Sequence, residues 1–283
     1  MSRPARIVDA HVHLWDPANT EWYPYLSGRQ QLNMGDTTGM QRRFDVETYR
    51  RESDGWNVVG LVNVAAATGL HSVDETLAMD GRDGVDAIVG GLPPTETVAD
   101  AIALLDKQLG AKRFRGVRPM GQFKEPLPAP EVLRALAERG LVFEVMTHTD
   151  QLVEAARGLA GHDELAVVVE HTGWPTSSTD EEFAAWKTGI DALAAVGPNV
   201  VCKLSGLAMP LGAMSADAFG PWVEHALGAF GTDRCMFASN FPVDGMHGTL
   251  DQLWSAYNAL TSGLGEVDRD KLFAANAERV YRL

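Results

Sequence analysis

Cysteine is scarce in this chain, with two among 283 residues. That excludes a disulfide framework, and Cys202 and Cys235 both fall in apolar stretches read as strands, where reduced core thiols belong. Positive charge is also in short supply. Twenty-four Lys and Arg stand against thirty-eight Asp and Glu, a formal charge of −14 and a sequence pI near 4.9, so the long-range field repels polyanions and nucleic acid is not an expected partner. No hydrophobic run is long enough to span a bilayer, and Met1-Ser2-Arg3-Pro4-Ala5-Arg6 leads on without an apolar stretch of signal-peptide length. The expectation is a soluble, cytoplasmic protein that acts on a small molecule, with no membrane partner and with homo-oligomerisation left open. A glycine-rich phosphate turn after the first strand, the mark of an open doubly wound sheet, is missing too; His11-Val12-His13-Leu14-Trp15 stands in its place. There is no internal repeat and no low-complexity segment.

What is present is an alternation of short apolar runs with helical periodicity. Val58–Val64, Ala87–Gly91, Arg115–Pro119, Leu141–Thr147, Ala166–His171, Val200–Leu204 and Cys235–Ser239 read as strands following a first strand at Ile7–Val8. Helices are expected between them, among them Glu96–Leu109, Pro130–Arg139, Gln151–Leu159, Asp180–Val196 and Pro221–Phe230. At 283 residues and 45% hydrophobic, eight such units predict one α/β domain over residues 1–283, a (β/α)8 TIM barrel closed by right-handed crossovers. One long irregular stretch, about 16–43, is rich in aromatics and reads as a loop folded over a pocket.

In a barrel of this type the C-terminal ends of the strands converge on one mouth. They supply His11 and His13, two apart and so on one face of a strand, then Arg118, His148, His171, Lys203 with Ser205, and Asn240 with Asp244. Imidazoles gathered at strand ends can hold a divalent ion or polarise a substrate oxygen. Taken singly, each has a plainer reading: a strand-capping histidine, a loop histidine at His148 or His71, a rim ion pair at Arg118. Lys203, within an apolar strand, must reach the mouth or pair with Glu170, because an unpaired buried ammonium is costly.

Taken in order, Val8-Asp9-Ala10-His11-Val12-His13-Leu14-Trp15, Phe114-Arg115-Gly116-Val117-Arg118, Val169-Glu170-His171-Thr172-Gly173-Trp174-Pro175, Val201-Cys202-Lys203-Leu204-Ser205-Gly206 and Met236-Phe237-Ala238-Ser239-Asn240-Phe241-Pro242 resemble the amidohydrolase superfamily. Within it they resemble the branch of 2-pyrone-4,6-dicarboxylate lactonase and sugar lactonases such as fuconolactonase. The resemblance implies an amidohydrolase-type barrel and an active site of His11, His13, His171 and an acidic residue after strand 8. That fourth position departs from the pattern, since Asn240 stands where the branch commonly has Asp. A carboxamide takes no proton near neutral pH, so Asp244 or His148 is the expected base, with Glu144 a further carboxylate in reach. No lysine ends strand 4, which argues against the two-metal arrangement. His11, His13 and His171 leave room for a single zinc or manganese ion that this reading does not make obligatory.

The resulting expectation is a hydrolase that opens a lactone of a small oxygenated or carboxylated metabolite. His11, His13 and His171 polarise the carbonyl, Asn240 orients substrate or water, Arg118 and Lys203 with Trp15 and Tyr25 contact the substrate, and the Trp15 to Tyr25 loop covers it. The alternatives are a metal-dependent decarboxylase of an aromatic or unsaturated acid and a non-catalytic ligand-binding barrel.

Overall fold

Val, Ile and Leu dominate the short runs that become strands, because a parallel strand buried on both faces is apolar throughout. In the computed structural model, which describes residues 2–27, 37–120 and 126–283, they form β1 (Ile7–Val12), β2 (Val58–Val64), β3 (Ala87–Leu92), β4 (Phe114–Pro119), β5 (Val142–Val145), β6 (Val167–Val169), β7 (Val200–Leu204) and β8 (Cys235–Phe237). All seven neighbouring pairs are parallel and the order is sequential. Closure runs through the residues just past β8: the Asn240 amide donates to the His11 carbonyl at 2.8 Å and the His13 amide to the Phe241 carbonyl at 2.8 Å. The (β/α)8 barrel expected from the alternation is therefore what the chain forms.

The helices are α1 (Val46–Glu52), α2 (His71–Met79), α3 (Val98–Gln108), α4 (Pro130–Glu138), α5 (Leu152–Leu159), α6 (Asp180–Val196), a short α7 (Ala208–Leu211), α8 (Ala216–Phe230), α9 (Leu250–Leu260), and then α10 (Glu266–Asp270) running through a π turn at Lys271–Ala275 into α11 (Asn276–Tyr281). Side chains that accept from the first-turn amides start five of them: Asp45, Thr97, Thr179, Ser215 and Thr249. The strands β5, β6 and β8 each end two residues before the expected boundary, and two helix starts differ as well. The helix placed at Pro221 begins five residues earlier, capped by Ser215; Pro221 sits inside it, beyond the first turn, at the expense of one backbone hydrogen bond. His71 opens α2 instead of lying in the preceding loop, and its ring nitrogens approach Glu21 and Asp74 at 3.6 and 3.8 Å.

Two apolar layers result. One lies between the helices and the barrel wall and includes Trp186, Trp254 and Phe219; the other, inside the barrel, gathers Val8, Ala10, Val62, Val64, Val89, Val142, Val168, Val201 and Met236. The inner layer extends to Ala277, Val280 and Tyr281 of α11, so the last helix stops the end of the barrel opposite the mouth. Cys202 and Cys235 face each other in register on β7 and β8, buried and unbridged. Among the described residues no helix is long and apolar enough to cross a membrane. Residues 28–36 of the expected covering loop lie outside the described residues.

Candidate active site

Strict alternation along β1 would place Val8 and Ala10 inside and His11 outside. A register irregularity between Asp9 and Val12 on the β1–β2 ladder breaks the alternation, the usual way a strand re-aims a side chain beside a site. Asp9 holds the irregular turn, accepting from the His11 amide at 3.2 Å, the Ser239 amide at 2.8 Å and the Tyr49 hydroxyl at 2.8 Å. His11 is fully buried, and its Nε2 lies 3.2 Å from His13 Nε2. His13 Nδ1 is 2.8 Å from the Val64 carbonyl.

The other mouth residues leave their strands through left-handed backbone. His171 (φ 49°), Thr172 (φ 55°) and Asn240 (φ 54°) all adopt it, an arrangement that costs about 1–3 kcal/mol per residue and gathers where side chains must be aimed. His171 Nδ1 is 3.0 Å from Ser205 Oγ, its ring lies 4.5 Å from that of His11, and the edge of Trp174 meets it at 5.2 Å. Asn240 donates from Nδ2 to Asp244 Oδ1 at 2.9 Å.

These groups open onto a cavity of roughly 160 Å³ whose polar and aromatic lining is His13, Trp15, Tyr25, Arg118, His171, Trp174 and Asn240. Trp15 stacks on His13 with ring planes 7° apart. The described part of the covering loop is anchored: Tyr23 donates to Glu75 at 2.9 Å, Tyr25 to the Ala66 carbonyl at 2.8 Å, and Trp15 Nε1 to the Arg42 carbonyl at 3.1 Å.

Four other expected site residues lie behind the cavity wall. His11 sits beneath His13. Asp244 is brought back towards Asn240, as the Phe241-Pro242-Val243 turn allows, but it is fully buried beneath the amide and does not line the cavity; burial pushes its carboxyl up to about 7. His148 packs against the Trp174 ring at 5.3 Å, outside the lining. Lys203 reaches neither the mouth nor Glu170. Its Nζ is 2.7 Å from Glu144 Oε2 and 3.4 Å from His11 Nδ1, wholly buried, so it is not a substrate contact. Lys203 and Glu144 alternate inward from strands two apart around the barrel, and the inward carboxylate is the partner within reach.

Glu170 was the residue sequence reasoning undervalued. A carboxyl ending the run Val167-Val168-Val169 was the available signal. It is buried, 3.4 Å from Arg118 Nη1, 3.8 Å from His11 Nδ1 and 3.9 Å from His171 Nε2. Burial, aided by the charge of Glu144 and opposed by Arg118, raises its carboxyl to about 8. Burial alone would raise Glu144 as well, but the Lys203 ammonium, with hydrogen bonds from Glu170, Lys203 and the Tyr281 hydroxyl, outweighs it and holds Glu144 below its ordinary value. The imidazoles go the other way: burial, together with the Arg118 and Lys203 charges, holds His11 and His171 well below their ordinary range and His13 at about 3.

A metal ion could be met by two donor sets. His11, Glu144 and Glu170 bring ligand atoms within 4.8 Å of one another, but both Glu144 oxygens are already taken, by Lys203 and Tyr281. The imidazole set fits better. Two nitrogens on one tetrahedral zinc ion sit about 3.3 Å apart, and the Nε2 atoms of His11 and His13 are separated by 3.2 Å. His171 supplies a third imidazole, and Glu170 Oε1, buried without a hydrogen bond, can take the remaining His11 ring proton as ligating histidines require.

The Amidohydrolase family profile matches residues 8–283. The chain is 31% identical over 295 residues, 98% of each chain, to the uncharacterized protein y4mH of Sinorhizobium fredii. It is 32% identical over 153 residues, half of this chain and 51% of the other, to an L-fucono-1,5-lactonase of Burkholderia multivorans. Among solved structures it resembles an amidohydrolase of Burkholderia multivorans, crystallised with HEPES bound (TM-score 0.80, 25% identity, 99% and 100% of the two chains) and with zinc bound (TM-score 0.81, 24% identity, the same coverage). A profile match along nearly the whole length, on a barrel with its histidines at one mouth, places the chain in the amidohydrolase family.

Proposed function

We propose that the protein hydrolyses a lactone of a small oxygenated or carboxylated metabolite. The observation that carries this reading is the composition of the cavity wall. One guanidinium, one carboxamide and two neutral imidazoles face the space, and among the described residues no carboxylate lines it. Such a wall suits addition of water to an ester carbonyl, in which negative charge develops on oxygen and fixed donors stabilise it. Similarity over half the chain to an L-fucono-1,5-lactonase supports the same reading.

The roles follow from the donors and acceptors. Arg118 and the Asn240 amide hold the carbonyl side of the substrate, and the charge of Arg118 offsets the oxyanion. Asp244 accepts from Asn240 Nδ2 at 2.9 Å, fixing which way the amide faces. His171, neutral because it is buried, accepts the proton of the attacking water and returns it to the departing ring oxygen. Ser205 on its Nδ1 holds the ring in place. If a divalent ion were held by His11, His13 and His171, it would supply Lewis acidity and lower the pKa of a bound water, and His171 would then be a ligand and not the base. Trp15, stacked on His13, presents a flat face to a ring substrate.

The test is a panel of uncharged sugar lactones, carboxylated lactones and acyclic esters, followed by proton release at constant pH. Hydrolysis of a lactone, and its loss in Asn240→Leu, is the expected result. No turnover of any lactone by folded protein, or release of carbon dioxide from an aromatic acid instead, would overturn the assignment.

A further inference from the structure

Among the described residues Lys203 is the one buried cation that the proposed chemistry does not use, and its position decides something about His11. An ammonium has only donors. Held by Glu144 at 2.7 Å, its Nζ also stands 3.4 Å from His11 Nδ1, which must therefore be the unprotonated nitrogen. The proton of the neutral ring is then on Nε2, which points at His13 Nε2 across 3.2 Å. That atom can accept, because a backbone carbonyl only accepts and His13 must use its Nδ1 proton on Val64 at 2.8 Å; the ring's other neighbour there is Asn240. Along the row Lys203, His11, His13, Val64 one donor at each step meets one acceptor, all in a single direction.

The other group facing His11 Nδ1 is Glu170 Oε1, at 3.8 Å, beyond hydrogen-bond reach and without a partner of its own. Two arrangements of one ring thus compete. With Lys203 donating, His11 is a donor at Nε2 and cannot ligate there. With the proton on Nδ1 and given to Glu170 Oε1, Nε2 is bare and His11 can join His13 on an ion, with a carboxyl oxygen behind it to take the ring proton.

We propose that Lys203 is a positioning residue that sets the ring proton of His11 on Nε2, and by doing so opposes binding of a divalent ion at His11 and His13. It touches neither cavity nor substrate and acts only through the ring it faces. This inference does not rest on lactone hydrolysis, and its readouts need no substrate.

Two measurements test it. In protein labelled with ¹⁵N-histidine, long-range proton–nitrogen correlation, with His11 assigned from His11→Asn, should show Nδ1 unprotonated and Nε2 protonated; the reverse pattern overturns the inference. In zinc titration by calorimetry, Lys203→Met should bind zinc at least about tenfold more tightly than the parent chain, since removing a neighbouring positive charge from a ligand site is worth a unit of log affinity or more. Because Lys203→Met leaves Glu144 charged in the interior and can fail to fold, the double variant Lys203→Met with Glu144→Gln is titrated alongside. It removes both charges together, so its tighter binding cannot come from a liberated carboxylate. Zinc affinity unchanged or weaker in that folded double variant overturns the proposal.

Discussion

Two glycines after β7 allow the placement of His171 to be tested with an internal control. Gly206 and Gly212 both have left-handed backbone, φ +69° and +59°. A Cβ at Gly212 would meet nothing within 4 Å, whereas one at Gly206 would lie 2.8 to 2.9 Å from His171 Cβ, Cγ and Nδ1. Alanine at 212 therefore pays only for the left-handed conformation, about 1–2 kcal/mol, which in a domain of this size lowers Tm by roughly 2–4 °C per kcal/mol. Alanine at 206 carries the same backbone cost plus overlap, about 1–3 kcal/mol, and the imidazole must retreat by about half an ångström to restore ordinary contact. Misplacement by about 1 Å costs on the order of 10²-fold in rate, so about tenfold or more in kcat is expected for Gly206→Ala, together with a larger fall in Tm. The assays are calorimetric melting and turnover of the best lactone from the panel. If Gly206→Ala and Gly212→Ala melt together and turn over at the parental rate, His171 is not held where catalysis needs it.

His171→Asn should lower kcat by about 10²- to 10⁴-fold, the usual worth of a general base, while His148→Gln stays within a few-fold; the opposite ranking from initial rates would transfer the role to His148. Arg118→Lys keeps the charge and loses the two-pronged donor, so KM for a carboxylated lactone should rise about 10- to 100-fold, the equivalent of a charge-assisted hydrogen bond, and an unchanged KM would show that Arg118 does not grip the substrate. Asp244 gives a pH test. Its folded carboxyl titrates at about 7, above the ordinary value, so the folded state binds the extra proton and this group's contribution to stability is lost as pH rises through 7, by at most about 1.4 kcal/mol per unit. Asp244→Asn removes that dependence, so urea unfolding at pH 5 and pH 7 should show the parent weakening relative to the variant; parallel changes would show that the carboxyl titrates normally.

The barrel was legible because apolar runs of strand length alternate with capped helical segments, and no other architecture absorbs eight such units so simply. The gathering of His11, His13, His171 and Asn240 was legible too, since strand ends in this fold share one mouth. What stayed hidden depends on contacts between residues far apart in sequence. The partner of Lys203 is 59 residues away at Glu144, and spacing alone favoured Glu170. Asp244 was expected over the strand end; only the left-handed turn at Asn240 shows that it passes underneath. The inward aim of His11 rests on an irregularity in β1 pinned by Asp9, and Val-Asp-Ala-His reads equally well as a regular strand.

Tyr281, buried in the stopper of the barrel, hydrogen-bonds to Glu144, and Glu144 in turn holds Lys203 against His11. The order of synthesis gives that connection a consequence. Helices and strands near the N-terminus can begin to form while the chain is still being made, but the ionic row beneath the histidines lacks a member until residue 281 has left the ribosome. Until then Glu144 and Lys203 face an open, wet barrel floor, where their attraction is weak. The nascent chain should thus acquire its strands early and its ordered site last, and ribosome-bound chains stalled with a long spacer after Leu283 should turn over the best lactone of the panel where those stalled before Val280 do not.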